Sequence, residues 1–272
     1  MVVTALVPGV YGRIDKSFQR AGAVTERNIV MLRTAYWLLI ASGFFEPLLY
    51  LLSIGVGVGA LVGRITLPSG TSVSYAEFVA PAMLASSAMT GALSESTFNF
   101  FGKMKGAKIY DGVLATPVRP MEIAFGELFW AMGRGALYSA AFLVIMVWMG
   151  YTTAVPATIA FLAAVLIGFS FGSIGMAVST FMRSWQDFDL IGTVQVALFL
   201  FSSTFTPISV YHSVVARVVI EASPLYQSVA LTRAITLNQM SIGMLGHVAY
   251  LLVMAAVGLT IASRRMGTLL LK

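Results

Sequence analysis

The stretch Gly102–Leu128, GKMKGAKIYDGVLATPVRPMEIAFGEL, is a polar interval between two long apolar segments. Four of its side chains are basic: Lys103, Lys105, Lys108 and Arg119. Four apolar residues repeat at the spacing of a short amphipathic helix: Ile109, Tyr110, Val113 and Leu114. This helix is predicted to end at Thr116, because a residue before proline, here Pro117, is pushed out of the helical region. Pro120 and Glu122 then suit the first turn of a following long helix.

A short helix pinned between two membrane spans is well placed to be pushed by a partner protein. The same basic residues also fit an ordinary loop that obeys the positive-inside rule. The residues of this stretch leave both interpretations open.

The composition of the chain defines its class. Of 272 residues, 58% are hydrophobic and 10% are charged, and the mean hydropathy is +0.87. Soluble domains carry about 25% charged residues, so the chain is predicted to be an all-α integral membrane protein. The net charge of +6 comes from Lys and Arg at the ends of apolar segments, where lipid headgroups place them, and does not indicate nucleic-acid binding.

Several kinds of chemistry are absent from the sequence. The chain has no cysteine, which excludes disulfides, thiolate metal sites and a cysteine nucleophile. Its two histidines, His212 and His247, lie far apart in sequence, which argues against a histidine metal site or a Ser-His-Asp triad. No GxxxxGK[ST] loop occurs, so the chain lacks that device for binding ATP. We therefore expect no catalytic, cofactor-binding or metal-binding residues.

Six transmembrane helices are predicted, each near the ~20 residues that a bilayer requires. They are Tyr36–Ala60, Tyr75–Phe98, Glu122–Gly150, Pro156–Met182, Asp189–Thr206 and Met244–Ala262. The third and fourth are separated by so few residues that they form a helical hairpin.

The distribution of Lys and Arg predicts the orientation. With the N-terminus inside, the inner segments hold thirteen of the 17: Arg13, Lys16, Arg20, Arg27, Arg33, Lys103, Lys105, Lys108, Arg119, Arg183, Arg264, Arg265 and Lys272. The outer segments hold only Arg64, Arg217 and Arg233. This asymmetry places both termini in the cytoplasm.

Two segments outside the spans have an amphipathic pattern. Residues 12–33 carry an apolar stripe and are predicted to lie as a helix in the membrane interface, with the stripe in the acyl boundary; a solvated helical arm is the alternative. Residues 207–240 hold two short amphipathic pieces, interrupted at Ser223 and Pro224, that would enter the outer leaflet and return. Non-helical backbone at that depth must be buried in protein or line water.

Small residues recur every three or four positions in two of the spans. In the fourth span they are Gly168, Gly172, Gly175 and Ser179. Such faces favour close helix contacts in lipid. Packing within one subunit and a dimer interface explain them equally well.

Two charges fall well inside spans, Glu46 in the first and Arg134 in the third. At ~1.5 Å per residue both lie roughly 15–18 Å from the inner helix ends. An unpaired charge at that depth costs about 2.5–3.5 kcal/mol on insertion scales. We therefore predict that Glu46 and Arg134 pair. The alternative is that Glu46 faces a water-filled path and contacts substrate while Arg134 snorkels inward. Glu95 lies nearer the inner boundary, where it would reach water.

Four stretches carry a resemblance to a known family. They are FEPLLYLLSIGVGVG (Phe45–Gly59), YAEFVAPAMLASSAM (Tyr75–Met89), YDGVLATPVRPMEIAFGEL (Tyr110–Leu128) and PLYQSVALTRAI (Pro224–Ile235). Their order and spacing over nearly the whole chain resemble a permease subunit of the type-2 ABC exporters, in the branch of nodulation-factor and daunorubicin-type drug exporters. Ser223 stands where that family usually has asparagine.

The resemblance implies a single transmembrane domain over residues 1–272. It implies an interfacial helix in residues 12–33, a cytoplasmic coupling helix in 102–121, and re-entrant helices in 207–240 before the last span. It implies half of a dimer, formed with a second copy or a related permease, in the bacterial plasma membrane. By the same resemblance, that dimer would export an amphiphilic substrate such as a drug, glycolipid or lipo-oligosaccharide. ATP and Mg²⁺ would bind a separate ATP-binding subunit, so the chain itself would not be an enzyme.

From their positions on the helix, Tyr110, Asp111 and Leu114 are the residues we expect to contact the ATP-binding subunit. Two other classes of transporter stand as alternatives: a passive channel and a proton-coupled transporter that uses Glu46. A pore-lining polar stripe, which a channel needs, is not found in any span.

Overall fold

The computed structural model describes residues 19–28, 45, 48–49, 51–67 and 70–270. Its helices are α1 (residues 19–28), α2 (Gly59–Val62), α3 (Tyr75–Ser94), α4 (Ile109–Leu114), α5 (Pro120–Trp148), α6 (Ala154–Ser179), α7 (Asp187–Leu200), α8 (Val214–Ala222), α9 (Pro224–Thr236) and α10 (Met244–Leu270). Wider π-helical turns occupy Leu51–Val58, Glu95–Asn99 and Gly102–Gly106. A short 3₁₀ turn covers Ile208–Val210.

A small β-hairpin, which the sequence analysis did not predict, joins α2 to α3. Strands β1 (Arg64–Thr66) and β2 (Ser72–Ser74) pair antiparallel, with Ile65 opposite Val73. The chain enters β1 through Gly63, whose φ of 74° favours glycine. Strands of three residues are too short for a visible period-two alternation, which is why the sequence pattern missed them.

α3 is the most completely buried helix of the bundle. Its first turn is fixed by a capping box, in which the Ser74 hydroxyl accepts the Glu77 N–H and the Glu77 carboxylate accepts the Ser74 N–H. Fifteen of its 20 residues are buried, so neighbouring helices surround it. It fills most of the predicted span Tyr75–Phe98, and the π-helical turns extend it toward α4.

α6 packs α3, α5 and α10 together, and its small residues allow close approach. A Cβ at Gly172 would lie 2.9 Å from the Leu128 side chain of α5, and one at Gly175 would meet Leu93 at 3.0 Å. On the other side, Gly258 of α10 meets the α6 backbone at Ser173, where a Cβ would lie 2.7 Å from the carbonyl carbon. The small-residue face of the fourth predicted span therefore packs within the subunit.

Three of the described helices are long and apolar enough to cross a membrane: α5, α6 and α10. α8 and α9, bent by 80° at their junction, pass the same test as a pair. The break lies at Ser223 and Pro224, as predicted. The predicted span Asp189–Thr206 is wrong at its end, since α7 has 14 residues and stops at Leu200. At ~1.5 Å per residue it is shorter than the ~30 Å hydrocarbon core.

About half of the first predicted span, including Glu46, lies outside the described residues. The predicted spans that correspond to α5, α6 and α10 are therefore supported. Six spans over the whole chain stay a prediction. The bundle has two ends: the α4 end, which also carries α1, and the hairpin end, which carries β1, β2, α8 and α9.

Candidate coupling site at the α4 end

α4 forms where the sequence predicted a short helix, and the predicted signals begin and end it. Lys108 precedes it with a left-handed backbone (φ 48°), which turns the chain out of the π-helical segment. After Leu114, the Thr116 N–H and hydroxyl both bond the Val113 carbonyl, at 3.0 and 2.6 Å, which closes the helix before Pro117. α5 then begins at Pro120, and the Glu122 carboxylate accepts the Arg119 N–H at 2.9 Å.

The three residues predicted to contact a partner lie in different environments. Tyr110 is fully buried, and its ring lies 5.4 Å from that of Phe100, centroid to centroid. Leu114 is partly buried against the same core cluster, and Asp111 is exposed. Direct contact between the Tyr110 side chain and a partner is therefore wrong, because the protein's own core covers this ring. Tyr110 anchors α4, and Asp111 is on its accessible side.

The Tyr110 hydroxyl lies in an unusual polar setting. It makes no hydrogen bond of regular geometry to a described residue. Burial raises the pKa of this hydroxyl well above its usual value, and the nearby Glu127 carboxylate raises the pKa further. The Tyr110 hydroxyl therefore stays protonated and neutral at physiological pH.

Glu127 in the second turn of α5 connects three segments of the chain. Its carboxylate is 5% exposed. It accepts hydrogen bonds from Arg27 at 2.9 Å and Asn28 at 3.0 Å, both on α1, and from Lys103 at 2.6 Å in the π-helical turn before α4. Lys103 also reaches the Asn28 amide oxygen at 3.2 Å. These four residues, the Glu127 cluster, tie α1, the α4 segment and α5 into one unit.

α1 lies directly on α5 beside this cluster. A Cβ at Gly126 would lie 2.6 Å from Val24 and 2.7 Å from the Ala21 carbonyl, so glycine permits the contact. Thr25 donates to the Gly126 carbonyl at 3.0 Å. The prediction that the apolar stripe of this segment enters the acyl boundary is therefore wrong for residues 19–28, since Ala21 and Val24 are buried against protein. The remainder of residues 12–33 lies outside the described residues.

A second loop, between α6 and α7, also reaches the α4 segment. Trp185 forms an aromatic cluster with Phe98, Phe101 and Phe188, with ring centroids 5.0–5.6 Å apart. A Cβ at Gly102 would contact its indole at 3.4 Å. The same loop is fixed by Asp187, which accepts the Arg183 N–H at 2.7 Å and the Ser184 N–H at 3.2 Å. These two bonds lower the pKa of the Asp187 carboxyl.

Farther into the bundle, Arg134 forms an ion pair with Glu95. It also donates to the Tyr138 hydroxyl at 2.9 Å, while Asn99 donates to Glu95 at 2.6 Å. The expectation that Glu95 reaches water is wrong, since this residue is 5% exposed and lies in the π-helical turn. Glu46 lies outside the described residues, so its predicted pairing with Arg134 stays a prediction.

The geometry at the α4 end suits mechanical transmission. A short helix with one exposed edge is tied by core packing and buried ion pairs to a long helix that enters the bundle. In the described part of the chain, no group of three or more His, Cys, Asp or Glu side chains is arranged to hold a metal ion.

Comparison with known proteins gives the family. The profile of the family described as "ABC-2 type transporter" matches residues 19–237, well over half of the chain. Nodulation protein J of Rhizobium leguminosarum bv. trifolii is 32% identical over 230 residues, which cover 84% of this chain and 86% of that protein. Nodulation protein J of Sinorhizobium fredii (strain NBRC 101917 / NGR234) is 28% identical over 234 residues, or 86% and 87% of the two chains. The motifs first seen in the sequence, the α4 segment between long apolar helices and this match together show that the chain belongs to the family of ABC-2 type transporter permeases.

Proposed function

We propose that the chain is the permease subunit of an ATP-driven exporter that moves an amphiphilic substrate outward across the bacterial plasma membrane. A separate ATP-binding subunit would dock on the cytoplasmic face, at the α4 end, and would hold the ATP and Mg²⁺. The similarity to the relatives named nodulation protein J supports a role for this chain in the same class of transporter.

The observation that carries this proposal is that one side of α4 is exposed while another side is packed into the protein core. Asp111 and Gly112 are exposed, while Tyr110 is fully buried on the opposite side. A force applied to the exposed edge reaches α5 through the Tyr110 contacts, because packed cores resist deformation. It reaches α1 through the Glu127 cluster.

Pairing with a second permease is supported by α7. None of its residues is buried. Its exposed apolar side chains include Leu190, Val194, Val196 and Leu200, which are 49–69% exposed. A helix with apolar residues on all sides needs lipid or another helix around it, and a second subunit would supply part of that cover.

The test is co-purification and transport with the native partner subunit. The double variant Asp111→Lys/Leu114→Glu should reduce recovery of the ATP-binding subunit. It reverses the charge of the exposed Asp111 and places a charge at the partly buried Leu114. The matched control is Glu26→Lys, a charge reversal at an exposed residue of α1 on the same end of the bundle. We expect the control to keep both partner recovery and ATP-dependent transport in proteoliposomes.

Other outcomes would favour other transporters. Transport without any ATP-binding subunit would contradict the proposal. If that transport followed a pH gradient and disappeared with Glu46→Gln, it would indicate a proton-coupled transporter. If it ran down the substrate gradient alone, it would indicate a passive channel. Full partner recovery by the α4 variant would show that α4 is not the docking site.

A further inference from the structure

Arg233 lies inside the hairpin end of the bundle, on α9, and is held from three sides. Its Nε donates to the Phe78 carbonyl of α3 at 3.2 Å, and one terminal nitrogen donates to the Ser203 carbonyl at 3.0 Å. Its guanidinium carbon lies 3.7 Å from the centroid of the Phe78 ring. These contacts fix the plane of the guanidinium. No described residue accepts a hydrogen bond from the other terminal nitrogen.

The charge of Arg233 is not neutralised by a carboxylate within the described residues. Three other partly buried cations have one: Arg27 and Lys103 pair with Glu127, and Arg134 pairs with Glu95. Arg265 at the α4 end is held instead by the Thr180 carbonyl and the Phe181 ring. Arg233 has only carbonyls and an aromatic face. Neutral partners hold a guanidinium in place but leave its charge available to an anion.

The turn that Arg233 binds carries hydroxyl side chains. The turn after α7, FSSTFT (Phe201–Thr206), supplies Ser203, whose left-handed backbone (φ 56°) presents the carbonyl that Arg233 binds. Next to it, the Thr204 side chain is fully buried, and its hydroxyl has no hydrogen-bond partner among the described residues. A buried hydroxyl without a protein partner is uncommon, and such a group usually bonds a ligand or an ordered water.

We propose that Arg233 and the turn Phe201–Thr206 form a binding site for the oxyanion of an amphiphile, of the phosphate-diester type. Arginine is well suited to this ligand, because its planar fork of donors matches tetrahedral oxyanions and stays charged. The Thr204 hydroxyl would donate to the same group. The anion would come from a membrane phospholipid or, if the proposed function holds, from the transported molecule.

The test uses the full chain in detergent without ATP or a partner subunit, so its outcome is independent of the proposed function. Thermal unfolding is followed while phosphatidylglycerol, phosphatidylcholine or inorganic phosphate is added. Phosphatidylglycerol should raise the Tm of the unsubstituted protein more than phosphatidylcholine does. Arg233→Gln should lower the apparent affinity for phosphatidylglycerol about tenfold, the size expected when a charged hydrogen bond is lost.

Arg217→Gln is the matched control, since Arg217 is an exposed arginine of the same end whose Nε bonds the Tyr211 carbonyl at 2.5 Å. It should respond to phosphatidylglycerol as the unsubstituted protein does. A response to inorganic phosphate as well would identify the oxyanion alone as the ligand, and a response only to the lipid would identify the whole headgroup and its chains. An equal phosphatidylglycerol response in Arg233→Gln would overturn the proposal.

A second measurement needs no substitution, in case Arg233→Gln does not fold. Phenylglyoxal modifies accessible guanidinium groups, and mass spectrometry reports modification at each arginine. Phosphatidylglycerol should protect Arg233 severalfold and leave Arg217 unprotected. Equal modification of Arg233 with and without the lipid would reject the site.

Discussion

Glu127 accepts hydrogen bonds from Arg27, Asn28 and Lys103 while only 5% of its side chain is exposed. The variant Glu127→Gln keeps the shape and one acceptor but removes the charge that balances two cations. Breaking a buried ion pair on one side leaves the other charge uncompensated, at a cost of about 3–5 kcal/mol. We expect the free energy of unfolding to fall toward the lower end of that range, because Arg27 and Lys103 are partly exposed. Thermal unfolding in detergent measures it.

The control for this prediction is Glu26→Gln, which neutralises an exposed glutamate one residue from Arg27. Surface charges of this kind contribute about 0–1 kcal/mol, so Tm should hardly change. Hydrogen exchange supplies a second observable, since loss of the Glu127 cluster should speed exchange in α1. Slow exchange in α1 together with an unchanged Tm would mean that the cluster does not hold the segment.

Arg134 allows two competing pairings to be compared. The structure pairs it with Glu95, and the sequence predicts Glu46. Residues that form a buried pair show coupling energies of about 0.5–3 kcal/mol in a double-mutant cycle. We expect the cycle of Arg134→Gln with Glu95→Gln to show such coupling, because removing both charges leaves neither uncompensated.

The same cycle with Glu46→Gln decides the sequence-based prediction. Additive losses for Arg134 and Glu46 would leave Glu46 without a role as partner, whereas coupling in both cycles would indicate a shared network. Stability measurements on these five variants and the unsubstituted protein, in one detergent, are sufficient for the comparison.

At this scale, sequence reasoning identified which residue types were out of place but not which of them meet. Arg134 was singled out because a charge in an apolar helix is conspicuous. The sequence does not single out Glu127, because acidic residues are common in the first turns of a helix and because Arg27 and Lys103 fit the positive-inside rule without a partner. Depth can be counted along a helix, but the facing of a side chain depends on tertiary packing.

Among the elements, the crossing of α6 and α10 depends on Gly258. A Cβ there would lie 2.7 Å from the Ile174 nitrogen and 2.9 Å from the Ser173 carbonyl oxygen, both backbone atoms that cannot move alone. Gly258→Ala should therefore force the helices apart and destabilise the protein by about 1–3 kcal/mol. The matched control is Gly133→Ala in α5, where a Cβ would meet nothing within 4 Å.

Gly133→Ala should be neutral or stabilising by up to about 1 kcal/mol, because alanine is the better helix former. Both variants are compared by Tm in the same detergent. Similar Tm values for Gly258→Ala and Gly133→Ala would mean that α6 and α10 are not in close contact at Ser173.

Local signals explain which element boundaries the sequence could predict. α4 ends and α5 begins as expected, because Pro117 and Pro120 act on their immediate neighbours. The end of α7 was missed, because the apolar pattern continues past Leu200 while serine and threonine side chains redirect the backbone. The Ser203 hydroxyl bonds the Thr206 carbonyl at 2.7 Å, an interaction of the kind that competes with helix.

For the whole molecule, composition was sufficient for the class, and motif order was sufficient for the family. Neither could supply the tertiary contacts that join α1, α4 and α5, since these depend on residues about 100 positions apart, such as Arg27 and Glu127. The membrane orientation is a property of the whole chain as well, because it follows from the sum of many weak charge preferences.

That orientation can be tested with cysteine labelling, because the chain contains no cysteine of its own. Single substitutions are made at three exposed positions: Thr71→Cys beside the β-hairpin, Ser241→Cys before α10, and Lys105→Cys before α4. A membrane-impermeant maleimide should label Thr71→Cys and Ser241→Cys in intact spheroplasts and Lys105→Cys only in inverted vesicles. Thr71 and Ser241 share a side only if an even number of spans separates them, as in the six-span arrangement. Labelling on opposite sides would reject that arrangement, and labelling of Lys105→Cys in spheroplasts would place α4 out of reach of a cytoplasmic ATP-binding subunit.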